Sequence, residues 1–228
     1  MLAPVTSTAK PGTNGKEIDV IRSVVLDVGE TLLDDTREFN AWADWVGVPR
    51  HTLSALIGIV VAQGRDNAEA FQYIRPGFDQ GAEVQRREEA GLGEQIEESD
   101  LYPDVRARGV WTGVVGNQTT RAAGLLRALD LPVDSIATSG EWGVAKPDPG
   151  FFKRVIDFAP GNAAEIVYVG DHRDYDVKAA HAAGLRPVLI RRGPWGRLWA
   201  DDPVVRDCAS WVVDSLAEFP DLVRPPVS

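Results

Sequence analysis

Apolar residues recur along this chain at two spacings, and the change from one to the other divides it. Residues 21–26 (IRSVVL) form a short, β-branched run ending at Asp27, the pattern of a strand buried on both faces. From residue 37 to residue 100 the period becomes helical. Phe39, Trp42, Trp45 and Val46 share one helical face that Gly47 stops. Further helices are predicted over residues 49–63, around 67–74, and over the polar, charged stretch 80–90. No strand pattern interrupts this region.

Beyond residue 103 the spacings alternate. Strand-like runs at 110–116, 135–138, 165–169, 187–190 and 211–213 are separated by helical patterns at 119–129, 148–158 and 176–183. Leu125, Leu126 and Leu129 mark the first of these helices, Pro149 opens the second, and Gly184 stops the Ala-rich third. Short connections between alternating strands and helices predict an α/β, doubly wound parallel sheet with right-handed crossovers. The expected division is a flexible N-terminal tail at 1–20, a core from 21–36 and 101–228, and a helical insert at 37–100 after the first strand. The tail assignment rests on its Pro, Gly, Ser, Thr, Asn and Lys content and lack of period.

Composition narrows the class. At 228 residues and 44% hydrophobic, the chain can bury a full core without staples. One cysteine, Cys208, leaves no disulfide framework or Cys-rich zinc site, and the plain expectation for it is a structural thiol. The longest apolar run, 53–62, is about half of the ~20 residues a spanning helix needs. The first 16 residues lack the apolar core of a secretory signal, so a soluble, cytoplasmic protein without membrane contact is expected. Of the net charge of −10, the segment 34–105 carries −9, from fifteen acidic residues against six arginines and no lysine. Such a segment repels phosphate backbones and excludes nucleic acid as the expected partner. Trp42, Trp45 and Phe152 fall at core spacing, and Arg191-Arg192 reads as a solvated pair.

In an open parallel sheet, ligands bind outside the carboxyl ends of the strands. Those ends supply Asp27-Val28-Gly29-Glu30-Thr31, Gly116-Asn117, the Lys146-Pro147 segment after the third strand, and Gly170-Asp171 with Asp176 further on. Converging carboxylates repel one another unless a cation sits among them, and all-oxygen ligation favours Mg²⁺. A lysine beside them suits an anionic, phosphate-like group, and an aspartate so placed can attack phosphorus. Singly, Asp27 reads equally as a turn cap, Lys146 as a solvated side chain and Asp171 as a helix N-cap. Four such signals at successive strand ends favour the shared site.

These motifs resemble those of the haloacid-dehalogenase-like (HAD) hydrolases, over about residues 20–220. Residues 27–32 are similar to the family's D-x-D-G-T-L motif, and Val114-Val115-Gly116-Asn117 to its second motif. The stretch 144–149 followed by Phe152 is similar to its Lys-Pro motif, and Gly170-Asp171 with Asp176, Ala183 and Gly184 to its acidic fourth motif. The resemblance implies a Rossmann-like core with a C1-type cap. It implies Mg²⁺ held by Asp27, the Gly29 carbonyl, Asp171 and Asp176, the last orienting Asp171 or its waters. It further implies a nucleophilic Asp27 forming an aspartyl-phosphate, Lys146 pairing with Asp27 and the phosphoryl group, and a phosphate pocket at Gly116, Asn117 and Lys146. The substrate expected is a small phosphorylated metabolite.

Two positions depart from the family. Gly29 stands where phosphatases carry the aspartate that moves protons, and Gly116 where they carry a Ser or Thr hydroxyl. Glu30 is the expected substitute proton carrier, with His172 and Asp174 further candidates whose plainer roles are capping and surface. A fold member that binds without turnover is the alternative in another class. A 2-haloacid dehalogenase is the alternative enzyme, against which Asp171 and Asp176 speak. Phosphonate hydrolysis is set aside because none of the lysines (10, 16, 146, 153, 178) lies in the insert. Phosphoglucomutase-like transfer depends on the aspartate missing at 29.

Overall fold

Val24, Val25 and Leu26 leave no polar face, so the strand they form, β1 (Ser23–Leu26), has to be covered on both sides. It lies in the middle of a six-stranded sheet in this computed structural model, which describes residues 20–102 and 110–218. The expected tail therefore falls, but for Val20, outside the described residues. The other strands are β2 (Trp111–Gly116), β3 (Ser135–Thr138), β4 (Ile166–Gly170), β5 (Arg186–Ile190) and β6 (Trp211–Val213). Their order is β3-β2-β1-β4-β5-β6, and every pair is parallel. Val24 and Leu26 face one apolar layer with Val114, Val167 and Val169. Val25 faces the opposite layer with Val115, Tyr168, Phe151 and Phe152. Fully burying a side chain of this size contributes about 1.5–3 kcal/mol, which makes these layers the main source of stability.

The segment between β1 and β2 is helical as expected: α1 (Thr36–Val46), α2 (Arg50–Ala62), a 3₁₀ turn at Asn67–Glu69 leading into α3 (Ala70–Ile74), and α4 (Gln80–Glu89). Trp42, Leu53, Ile57, Val60 and Phe71 do not form a separate core; they merge with Val177, Leu189, Trp195 and Trp199 from the sheet side. Arg87, buried, stacks 4.2 Å over Trp42 and pairs with Glu38 at 2.7 Å. Trp45 is only partly buried and donates its indole N–H to Glu83 at 2.9 Å.

Crossovers on the sheet side use α5 (Thr120–Ala128), α6 (Ser139–Trp142), α7 (Pro149–Phe158), a π-helical turn at Arg173–Lys178 running into α8 (Ala179–Ala182), α9 (Gly193–Trp199) and α10 (Pro203–Cys208). Asp148 accepts from the Gly150 amide and Pro149 takes the first position of α7, fixing its start. The helix expected at 176–183 begins three residues earlier, because the His172 ring accepts from the Asp174 and Tyr175 amides at 3.1 Å. Helices α6, α9 and α10 are not evident in the sequence pattern. In α9, Gly193, Pro194 and Gly196 mimic a loop while Trp195 and Trp199, one turn apart, bury its inner face. Arg192 is buried rather than solvated: it donates to the Thr31 carbonyl at 2.6 Å and lies 4.0 Å over Tyr102. Cys208 is half-buried at the end of α10. Among the described residues, no single helix is long and apolar enough to cross a membrane.

Candidate active site

β1 and β4 are adjacent, and the chain leaves them for opposite halves of the sheet, so a crevice forms at their carboxyl ends. Asp27 closes β1, its amide bonded to the Val169 carbonyl at 2.8 Å, and Asp171 closes β4. Lys146 arrives from the segment between α6 and α7, and Asn117, just past β2, fixes it. The Asn117 carboxamide donates to the Lys146 carbonyl at 3.0 Å and accepts from the Lys146 amide at 2.7 Å. Its side chain is thus committed to placing the lysine backbone. The Lys146 ammonium then reaches Asp27 Oδ1 at 2.7 Å and Asp176 Oδ1 at 2.6 Å. The second Asp176 oxygen accepts from the His172 amide at 2.9 Å.

Asp27, Asp171 and Asp176, all buried, have ligand oxygens within 4.8 Å of one another. The cost shows in the proton affinities of Asp27 and Asp171. Burial raises Asp27 from 3.8 to about 6, partly offset by Lys146, and Asp176 adds to the rise. Asp171 is held well above the carboxylate range by burial and then by Asp176 and Asp27. Burial works against the Lys146 ammonium, yet Asp176 and Asp27 hold its pKa well above the ordinary value. Asp171 Oδ2 is buried without a hydrogen-bond partner. A cluster of hard oxygens with one buried orphan fits a divalent cation such as Mg²⁺. Asp27, Asp171 and Asp176 each offer an oxygen to such an ion, with Asp27 and Asp176 also bonded to Lys146 and Asp171 carrying the orphaned oxygen.

A stability consequence follows for the metal-free protein. A carboxylate whose folded pKa is raised contributes stability below its unfolded value and loses it as pH rises through the folded one. For Asp27 that window runs from 3.8 through about 6. In chelator, the melting temperature is expected to fall across this window, by an amount corresponding to roughly 2–3 kcal/mol. Added Mg²⁺ should restore it at pH 7.5 and much less at pH 5, where protons compete for the oxygens. A flat pH profile in chelator would contradict this electrostatic description.

The two glycine departures have spatial reasons. A Cβ at Gly116 would lie 2.5 Å from Asp27 Oδ1, so the Asp27 carboxylate leaves no room for a Ser or Thr there. A Cβ at Gly29 would meet the carboxylate of Asp35, at 2.6 Å from Oδ2. Glu30, expected as the substitute proton carrier, is directed elsewhere. Its backbone is left-handed (φ 51°), its carboxylate accepts from the Tyr102 hydroxyl at 2.8 Å, and it does not line the cavity. His172 caps the π-helical turn through its Nδ1 and also lines the cavity, whereas Asp174 pairs with Arg173 at 2.7 Å and does not line it. Sequence reasoning missed Asp35 and the insert residues Asp66, Asn67 and Gln80. All four join Asp27, Lys146 and Asp171 around one cavity of about 410 Å³. No spacing signal marks them, although the Asp34-Asp35 pair just before the insert is visible in the sequence. Tyr175 ties the two sides together, donating to Asp66 at 3.2 Å.

Comparison with known proteins agrees with the fold. A family described as HAD-hydrolase-like matches residues 143–219. The haloacid dehalogenase-like hydrolase domain-containing protein 3 of Danio rerio is 33% identical over 116 residues, 50% of this chain and 46% of that one. The chain thus spans less than half the length of that relative. A phosphoglycolate phosphatase of Pseudomonas fluorescens is 27% identical over 93% of this chain and 78% of its own. Among solved structures, the HAD hydrolase YfnB of Bacillus subtilis, bound to magnesium, superposes with a TM-score of 0.64 at 18% identity, over 90% of this chain and 99% of that one. At that identity the likeness establishes the fold.

Proposed function

We propose that this chain is a member of the haloacid-dehalogenase-like superfamily and, within it, a Mg²⁺-dependent phosphatase that hydrolyses a small phosphate monoester through an aspartyl-phosphate on Asp27. The observation that carries the proposal is the buried Asp27–Asp171–Asp176 cluster with the Lys146 ammonium inside it and an orphaned Asp171 oxygen. That cluster favours phosphoryl transfer over dehalogenation, since it could hold a cation against the phosphoryl oxygens. The phosphatase relatives support the same reading at the level of reaction class.

In this reading Asp27 is the nucleophile, held at the end of a fully buried central strand. Lys146 neutralises Asp27 before attack and the phosphoryl oxygens during it; its pairing with Asp176 keeps the ammonium in place. Asn117 is a positioning residue, acting through the Lys146 backbone. Asp27 and Asp171 would hold Mg²⁺, which supplies Lewis-acid charge for the phosphoryl oxygens when bound. Residues 37–100 serve as a cap: Asp66, Asn67 and Gln80 face the cavity and meet the part of the substrate beyond the phosphate.

Turnover of 4-nitrophenyl phosphate with and without Mg²⁺ tests the proposal. Hydrolysis is expected with Mg²⁺ and is abolished by excess EDTA. Full hydrolysis in EDTA would defeat the metal assignment. Halide release from 2-chloropropionate, without phosphate release, would assign the site to dehalogenation instead.

A further inference from the structure

A phosphate ester of a simple alcohol needs a proton on its leaving oxygen, and the chain lacks a side chain at 29 to provide one. The volume of that side chain is nevertheless filled. A Cβ added to Gly29 would lie 2.6 Å from Asp35 Oδ2, 3.3 Å from its Cγ and 3.4 Å from its Oδ1. The whole carboxylate of Asp35 therefore sits where a side chain at position 29 would begin.

The backbone explains how a residue six positions later arrives there. After Asp27 the chain turns on the Val28 carbonyl, which accepts from the Leu32 amide at 2.8 Å and the Leu33 amide at 2.9 Å. Leu33 then runs beside Gly29 as an isolated bridge, and α1 starts shortly after it. Capping at this helix start falls to Asp34, whose carboxylate accepts from the Thr36 amide at 2.8 Å. Asp35 occupies the N-cap position, yet its side chain makes no cap hydrogen bond. A helix-starting aspartate would ordinarily satisfy a first-turn amide. This one instead lines the cavity shared by Asp27, Lys146 and Asp171.

We infer that Asp35 is the proton-transfer residue of this site, standing in space for the carboxylate that the sequence lacks at position 29. The inference rests on the phosphatase reading and adds to it the identity of the acid and base. In the first half-reaction an Asp27 oxygen bonds to phosphorus and the bond to the leaving oxygen breaks. The electron pair goes to that oxygen, and the Asp35 proton follows it, releasing the alcohol. In the second, water bonds to phosphorus while Asp35 takes one of its protons. The Asp27–phosphorus bond breaks, its electron pair returns to Asp27, and inorganic phosphate leaves with Asp35 protonated again. A glycine at 29 is then a requirement, since any side chain there would displace the carboxylate that moves the proton.

The test compares wild type, Asp35→Asn, Asp35→Ala and the double variant Asp35→Ala/Gly29→Asp, with Mg²⁺, on 4-nitrophenyl phosphate and on 2-glycerol phosphate. Asp35→Asn keeps the shape of the side chain, so it is the deciding variant if the alanine variant melts early. On 2-glycerol phosphate its kcat is expected to drop by roughly 10²–10⁴-fold, the usual contribution of general acid–base help. On 4-nitrophenyl phosphate, whose leaving group needs no proton, Asp27 should still be phosphorylated. Release of that phosphoryl group then slows, so intact-mass measurement should find phosphorylated protein accumulating in the variant and not in wild type. The double variant should regain at least tenfold over Asp35→Ala on 2-glycerol phosphate. Equal losses on the two substrates with no accumulated phosphoenzyme would reduce Asp35 to a structural role and overturn the inference, as would unchanged kinetics. A wild type that hydrolyses neither ester and never carries phosphate would overturn the phosphatase reading itself, and the inference with it. The wild-type arm keeps those two failures apart.

Discussion

Asp27→Asn is expected to lower phosphate-ester turnover by roughly 10⁴-fold or more, the scale on which hydrolases lose kcat when a covalent nucleophile is removed. It should also make the metal-free protein more stable at neutral pH. The two effects share a cause. Burial, the largest influence on Asp27, outweighs the favourable Lys146 contact and leaves its pKa near 6, so this charge costs the folded protein stability above that pH. Asparagine keeps the shape of the side chain and removes the charge. Its gain is therefore expected above pH 6 and should vanish as pH falls toward 3.8, where wild-type Asp27 is protonated in both states. Mg²⁺ should stabilise the variant less than wild type, because one ligand carboxylate is gone. Activity, melting temperature in EDTA and the Mg²⁺-induced shift can be measured on one preparation. An inactive variant that is also less stable at pH 7.5 in EDTA would mean that the Lys146 ion pair outweighs desolvation, reversing the balance of forces on Asp27.

The same balance explains what was legible in the sequence. β1, β2 and β4 sit in a sheet covered on both faces, so their apolar runs are uninterrupted and their ends fall within a residue or two of the expected positions. The ends of β1 and β4 in turn carry Asp27 and Asp171 to one crevice, and the segment between α6 and α7 brings Lys146 to it. Helix α9 was not legible, because its burial depends on Trp195 and Trp199 meeting insert residues such as Trp42 and Leu53, a contact with no local period. Position 29 is the instructive case. The sequence shows a missing carboxylate and an adjacent Glu30, and proximity along the chain points to Glu30. A left-handed backbone at Glu30 and the Tyr102 hydroxyl direct that side chain elsewhere, while the turn on the Val28 carbonyl returns Asp35 to the vacancy. The tertiary path decides the matter, and a turn of this kind leaves no pattern in the order of residues. Gly116 is similar: its lack of a hydroxyl reads as a loss, but the neighbouring Asp27 carboxylate occupies the space.

Lys146→Met is expected to be the most destabilising single change in the site. The ammonium is buried and lies 2.7 Å from Asp27 and 2.6 Å from Asp176. Methionine fills similar volume, so the loss is one of charge rather than packing. Removing one partner of a buried ion pair typically costs about 3–5 kcal/mol, because the other charge stays behind in a poor solvent. Here two carboxylates lose their shared cation while Asp171 stands beside them. Asp27 can respond only by binding its proton more tightly, so its folded pKa rises further and the sign of the pH dependence follows. Stability relative to wild type should be worst at pH 8 in EDTA and should recover as pH falls toward 6, since a protonated Asp27 no longer needs the lysine. Mg²⁺ supplies replacement charge, so it should raise the melting temperature of the variant more than that of wild type. It should not restore turnover, because the ammonium is also needed against the transferring phosphoryl group. Asn117→Ala offers an independent check, since it leaves the charge in place and frees the lysine backbone. Its turnover should fall with little change in the pH dependence of stability. A Lys146→Met protein as stable as wild type at pH 8 in EDTA, or equally weakened at pH 5 and pH 8, would show that the three carboxylates do not depend on this ammonium. The charge balance that places the metal, the nucleophile and the lysine in one site would then have to be abandoned.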